Sequence, residues 1–419
     1  MYRTYGKAIF SIITICVIVF LLAPNITSLA RTTGLSIYGH SFPIAADPDV
    51  GEWSSAVAFD DSRRNFLVVY EDGSEISAVC LNNLGEQLAY YALGSGIFPD
   101  IVYNIHKDQY LAVWVEISTD MEIVGAFISG NCTNEPGTIT HIPSAISGDR
   151  AGDNFAPAVA YNHHENHQDY FVVWENIPPT GITQIFARRV TSEGIGLDSS
   201  FEIKSSTTAY HSDPDVAYNL NMNEYLVVYT HQETSPGATS DVYGRRVYNS
   251  GGMGVLPEEI IDSSGESQMA PAVAAYRLNQ ATPYLVVFRD YWNDTSGDVR
   301  GYMLNKEGEP QLLLNIATQS AEIESEPAIG MSEHFGGYIV AWLHQAALTS
   351  KLHFRQINNT GLLEPVELVA ELPVVIGQPA LADGPAIPLL TWTQHNPPFP
   401  DIYGQLIWVE QIYLPYMVR

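Results

Sequence analysis

An apolar run of five residues returns seven times along this chain: Phe66–Tyr70, Tyr110–Trp114, Tyr170–Trp174, Tyr225–Tyr229, Tyr284–Phe288, Tyr338–Trp342 and, degraded, Pro388–Trp392. Each copy follows a Pro-x-Val-Ala-Tyr-like approach and precedes an Asp-Val-Tyr-Gly-Arg-Arg-Val-like exit. The approaches begin at Ser55, Pro99, Pro157, Pro214, Pro271, Pro327 and Pro379, giving intervals of 44, 58, 57, 57, 56 and 52 residues. Such a period is too long for ankyrin or leucine-rich units and falls near the spacing of propeller blades.

Within each unit the pattern is that of strands: short runs rich in Val, Ile, Tyr and Trp, punctuated by Asn, Asp, Gly and Pro. In the fourth copy the strands read Pro214–Tyr218, Tyr225–Tyr229, Asp241–Val247 and Val255–Ile261, with turns at Asn219–Glu224 and Gly251–Gly254. The second strand is apolar at nearly every position, as expected of a strand covered on both faces. The third alternates more, as suits a strand nearer the rim. No stretch after the first thirty residues sustains helical periodicity.

The ends make an independent point. The last copy runs through its third strand, Asp401–Val409, and has no fourth. At the other end, Leu35–Ala45 precedes the first approach and has no unit of its own. An N-terminal strand that completes the last blade removes two open sheet edges. The prediction is an all-β chain: a seven-bladed β-propeller of four-stranded antiparallel blades over residues 31–410, closed by its N-terminal strand.

Copies such as Pro157–Asn162 with Tyr170–Trp174, and Pro214–Asn219 with Tyr225–Tyr229 and Asp241–Val247, carry a further likeness. They resemble the Pro-Ala-Val-Ala-Tyr-Asn … Tyr-Leu-Val-Val-Trp … Asp-Ile-Tyr-Gly-Gln-Arg-Val blades of uncharacterised exported bacterial propellers. That resemblance implies the fold and an exported address. It implies no activity, because propellers host unrelated functions.

Residues 1–30 have the form of a Sec-type signal peptide. Arg3 and Lys7 form a basic start, Ala8–Leu22 an apolar run, and Ser28-Leu29-Ala30 a small-residue cleavage site. The run is short for a membrane span, and no later segment could cross a bilayer as a helix. The expected address is secreted or cell-surface, with an uncleaved anchor as the alternative. Losing Arg3 and Lys7 takes the formal charge from −28 to −30. Such acidity disfavours nucleic acid and anionic lipid as partners. A monomer is expected. Residues 411–419 read as a separate tail, either a surface-sorting signal or a strand docked on the last blade. Cys80 and Cys132 lie in or just after the third strands of adjacent copies. A bridge between them is allowed in an oxidising compartment, although they do not occupy matching positions; two free thiols are the alternative.

Propeller loops from second to third strand, and from fourth strand to the next blade, share the face that usually binds ligands. Glu71, Asp72, Glu116, Glu175, His231, Arg289, Asp290, His344, Gln394 and His395 leave the second strands toward it. They differ between blades while the strands before them stay alike. Carboxylates and histidines of this kind can bind a cation or act as general acid and base; strand ends are also polar simply because they meet water. Asp290, Asn293, Asp294 and Asp298 offer hard oxygens for calcium around Gly297, in a loop where Asp and Asn are also ordinary turn formers. His163-His164-Glu165-Asn166-His167 lacks the helical zinc spacing and lies in a hairpin turn. Arg188, Arg189, Arg245, Arg246, Arg300 and Arg355 recur in third strands, which points to cross-strand pairing with acids.

No nucleophile elbow, phosphate-cradling loop or metal-ligand cysteine pair is present. The expected function is therefore non-catalytic binding of a glycan, peptide or protein partner at the cell surface. The competing expectation is a carbohydrate-active hydrolase or lyase, which requires two carboxyls about 5 Å or 6.5–9.5 Å apart across a deep central pocket.

Overall fold

Seven hydrophobic clusters, one at each junction between neighbouring repeats, organise the fold. In the second copy Tyr110, Ala112 and Trp114 pack toward the first repeat, whereas Leu111, Val113 and Val115 pack toward the third. A strand sandwiched in this way needs apolar side chains on both faces, which explains why the central runs do not alternate.

The computed structural model describes residues 34–36, 40–164, 168–194, 199–249, 253–276, 281–291, 296–318, 322–332, 335–346, 349–372, 376–382, 384, 388–396 and 398–410. The expected signal segment and the tail 411–419 lie outside them. Seven four-stranded antiparallel sheets form the blades. The fourth blade comprises Ala209–Asn219, Glu224–Glu233, Ser240–Asn249 and Met253–Asp262, running from the innermost strand outward. Third strands alternate as expected in several blades, Ser350–Asn358 reading buried and half-buried by turns, whereas Ile76–Leu81 in the first blade is buried throughout.

The seventh blade takes Ile376–Leu381, Leu389–Asn396 and Phe399–Leu406 from the C-terminal region and its outermost strand, Phe42–Ala45, from the N-terminal region. Phe42 lies opposite Gly404 and Pro43 opposite Tyr403, so the ring closes as its ends imply. Among the described residues no helix is long and apolar enough to cross a membrane.

Every innermost strand carries a bulge at the same place, between Trp53 and Ala56 in the first blade and at its counterpart in the other six. The residue just before the approach Pro or Ser adopts a left-handed conformation in all seven: Ser54, Phe98, Ala156, Asp213, Ala270, Glu326 and Gln378 have φ between 44° and 54°. None of the seven is glycine, and six precede proline, where steric restriction is greater still. In blades two, four and five the N–H of that residue meets a side chain of the preceding blade.

Candidate functional site

The residues that leave the second strands divide into two layers. In the first layer, side chains meet the bulge of the next blade. Glu71 Oε1 accepts from Phe98 N–H at 2.9 Å, Glu175 Oε1 from Asp213 N–H at 2.6 Å, and Thr230 Oγ1 from Ala270 N–H at 3.3 Å. Glu71 and Glu175 thus fasten blade to blade. Burial pushes the Glu175 carboxyl up to about 7, with the Asp213 amide working against it and the Asp213 carboxylate adding to it.

The second layer consists largely of pairs inside single blades. Asp72 faces Glu52, His231 faces His211, Asp290 faces Gln268 and His344 faces Glu324. His231 Nδ1 lies 3.1 Å from His211 Nε2, Gln268 donates to Asp290 at 3.1 Å, and His344 Nδ1 lies 3.3 Å from Glu324 Oε1. His344 also reaches Glu322 at 2.6 Å. Gln394 stands opposite Ile376, His395 packs its ring 4.8 Å from that of Trp53, and Glu116 projects into solvent. Variation among these positions reflects local solutions that differ from blade to blade, and the side chains do not converge as one set.

Four groups do share the upper mouth of the ring: Glu175 of blade three, Asp213 of blade four, Arg289 of blade five and Glu326 of blade six. The Glu326 carboxyl is raised by burial, lowered by Arg289 and raised by Asp213. The bulge aims Asp213 and Glu326 here, so the variable position before each approach proline is the signal that marks them. Arg289 lies over the Tyr291 ring at 4.7 Å.

For the expected calcium loop, Asp290 and Asp298 are described and both contact Arg300, at 3.0 and 3.4 Å. Asn293 and Asp294 lie outside the described residues, as do Glu165, Asn166 and His167 of the histidine-rich turn. Among the described residues no group of three His, Cys, Asp or Glu is placed to hold a metal ion. Cys80 and Cys132 form a disulfide joining the first two blades.

Third-strand arginines serve as clamps, with a partner that residue pairing alone does not suggest. Arg188, Arg245 and Arg355 donate to the backbone carbonyls of Ile146, Ile203 and Ile316 in the region of the preceding blade's outer strand. Others pair with acids as expected, Arg246 with Glu224 at 3.2 Å and Arg189 with Asp169 at 3.5 Å.

The cavity itself opens at the other end of the channel, where the hairpins between first and second strands gather. It encloses about 320 Å³ and is lined by the C-terminal halves of the innermost strands, among them Val102, Val159, Tyr218, Ile329 and Leu381. Asp100 and Asp215 also line it. Asp100 accepts from Val159 N–H at 2.7 Å, and Asp215 accepts from Val273 N–H at 2.7 Å and from Val216 N–H at 2.8 Å. Burial pushes the Asp100 carboxyl up to about 6, while the Val159 and Ile101 amides hold it down. The corresponding residue in the other five blades is alanine: Ala56, Ala158, Ala272, Ala328 and Ala380.

By sequence the chain matches no family model and no curated protein. In fold it is similar to a protein of unknown function from Dyadobacter fermentans DSM 18053, at 10% identity and TM-score 0.55 over 90% of this chain and 100% of that one. It is similar as well to polysaccharide lyase Uly1, at 8% identity and TM-score 0.51 over 92% and 96%. The β-propeller domain of the Trilobed protease from Pyrococcus furiosus shares 8% identity at TM-score 0.50 over 85% and 95%. At these identities the likeness is one of fold.

Proposed function

We propose that this chain is an exported, non-catalytic propeller that binds a glycan, peptide or protein partner, and that the partner inserts a protruding group into the channel on the hairpin face. The observation that carries the reading is the cavity of about 320 Å³ there. It suits one sugar ring or side chain and is bounded by a rigid ring. Most polar residues at the opposite strand ends are engaged in fastening blades or in pairs within one blade. Export is supported by the basic, apolar and small-residue order of residues 1–30 and by the Cys80–Cys132 bridge, which persists in oxidising compartments. The test is to screen glycan and peptide arrays with wild-type protein and with Ala275→Trp, which fills the channel. Hits that vanish in the variant support the reading; hits that survive it, or blank arrays, overturn it.

A carbohydrate-active enzyme is the second reading, favoured by Glu175, Asp213, Glu326 and Arg289 at the upper mouth. A carboxyl held up to about 7 beside a second carboxylate can act as a general acid. Under this reading a panel of polysaccharides yields new reducing ends or unsaturated products, and Glu175→Gln abolishes them. The leading reading expects no turnover in either protein.

A further inference from the structure

Each blade ends on an outermost strand whose far edge pairs with no other strand among the described residues. Open edges invite foreign strands, and proteins blunt them by shortness, charge, proline or cover. Six blades do so. In blade one, Tyr90 N–H of the outer strand Gln87–Ser95 donates to Asn134 Oδ1 at 3.3 Å, in a loop tied down by the Cys80–Cys132 bridge. The outer strands of blades two, three and seven have three or four residues: Ile139–His141, Phe201–Lys204 and Phe42–Ala45. Met253–Asp262 of blade four carries Pro257, Glu258 and Glu259, and Glu367–Leu372 of blade six carries Glu367 and Glu371.

Blade five is the exception. Its outer strand Pro310–Ala317 runs for eight residues without a charge. The proline stands at the first position, where a strand tolerates it without losing its ladder. Leu312 and Leu313 are 42% and 41% exposed. Near its far end the edge is occupied, because Arg355 donates to the carbonyls of Ile316 and Glu364 at 2.7 and 2.6 Å. The apolar surface continues into blade six: the turn at Gly361 packs on Leu312 and Leu314, and Leu362 beside it is 60% exposed.

We propose that Pro310–Asn315 is a docking edge for an extended segment of a partner protein, which adds a strand to blade five. The segment presents apolar or β-branched residues that cover Leu312 on one face and Leu313 on the other, and it carries lysine or arginine at its ends. Charge complementarity selects those ends. Glu309 stands immediately before the strand and Glu364 beside its far end, while Lys306 is paired with Glu307 at 3.6 Å. The same charge argues against a second copy of this chain, since edge-to-edge pairing brings together two molecules of net charge −28. The edge lies on the rim, so it does not rest on the channel reading.

Fluorescence anisotropy with the full chain tests this using three labelled peptides: acetyl-Lys-Val-Thr-Val-Thr-Val-Thr-Lys-amide, a version N-methylated at every residue between its lysines, and a version with glutamate at both ends. The expected result is saturable one-to-one binding of the first, weakened by added salt, and no binding of the N-methylated form, which lacks the donors of a ladder. The glutamate-ended form should bind at least about tenfold more weakly. Leu313→Lys places a charge on an exposed position and should weaken the lysine-ended peptide by about tenfold while leaving thermal melting unchanged. Hydrogen exchange should slow in Pro310–Asn315 when the peptide is bound. Absence of saturable binding overturns the inference, as does equal binding of the N-methylated peptide by the wild type. Slowed exchange confined to the channel-lining strands moves the peptide to the channel and likewise sinks the docking edge. Wild-type dimers in sedimentation that Leu313→Lys abolishes give the edge to a second copy, and the partner inference falls.

Discussion

Glu52 has a carboxyl oxygen, Oε2, buried without a hydrogen-bond partner, across the strand pair from Asp72. Burial, with smaller contributions from Asp401, Asp72 and Asp47, pushes its pKa from 4.5 up to about 7. The fold therefore prefers the neutral acid. Its contribution is complete below pH 4.5 and is lost as pH rises through about 7. Glu52→Gln mimics the neutral acid at every pH. Urea melts well above pH 7 should show the variant more stable by about 1–2 kcal/mol, with the difference vanishing toward pH 4.5. Buried His211 and half-buried His353, lowered from 6.5 to about 4 by burial and by His231 and His344 respectively, act in the opposite sense. Their neutral forms suit the fold above pH 6.5, and that stability is lost as pH falls toward 4. Glu71 gives a second test at this scale. Glu71→Ala strips the acceptor from the Phe98 amide and should cost about 1–3 kcal/mol, whereas Glu71→Gln keeps an oxygen and should melt close to wild type. Equal losses in thermal denaturation would show that the carboxylate charge, not the staple, matters.

At the scale of the strand, the sevenfold bulge places non-glycine residues where an L side chain is disfavoured by about 1–2 kcal/mol. Ala156→Gly and Ala270→Gly relieve that cost while adding freedom to the unfolded chain. Each should raise stability by about 0.5 kcal/mol, measured by chemical denaturation; a loss would show that tertiary contacts have already absorbed the strain. This bulge also marks the limit of what the repeat reveals. Runs such as Tyr170–Trp174 and the unpaired segment Leu35–Ala45 lead directly to blades and closure, because burial on two faces and an open edge both leave a compositional trace. The roles of Glu71 and Glu175 leave none: an acid at a strand end reads the same whether it meets water or the amide of the next blade. Asp100 and Asp215 were legible in principle, as departures from an alanine column, but they lie on the channel wall and not in the loops where polar residues concentrate. Asp213 and Glu326 became mouth residues only through a left-handed backbone step that composition does not encode.

For the whole ring, blade seven differs from the other six. Elsewhere the four strands of a blade follow one another along the chain. Here the outermost strand, Phe42–Ala45, comes from the N-terminal side, lies against Phe399–Leu406 without a direct chain link to it, and continues through residues 46–51 into Glu52–Asp60 of blade one. The seam is also held by the cluster around Ile44, Val57, Phe59, Leu389 and Ile402 and by the Ser55–Thr391 hydroxyl contact at 2.9 Å. A chain starting at His40 keeps this strand; one starting at Asp47 loses it, along with buried Ile44 and the ladder to Phe399–Leu406. Removing a buried aliphatic side chain costs about 2–5 kcal/mol, and an uncovered strand invites pairing between molecules. The shorter chain should melt several degrees lower and form concentration-dependent oligomers, read by light scattering. A synthetic peptide spanning Ser41–Asp47, added in trans, should bind the vacated edge and restore much of the melting temperature, since covalent continuity matters less than the strand itself. Identical melting of the two chains would mean that the apolar seam alone holds the ring closed; a melting loss that the peptide leaves untouched would assign closure to the covalent crossing.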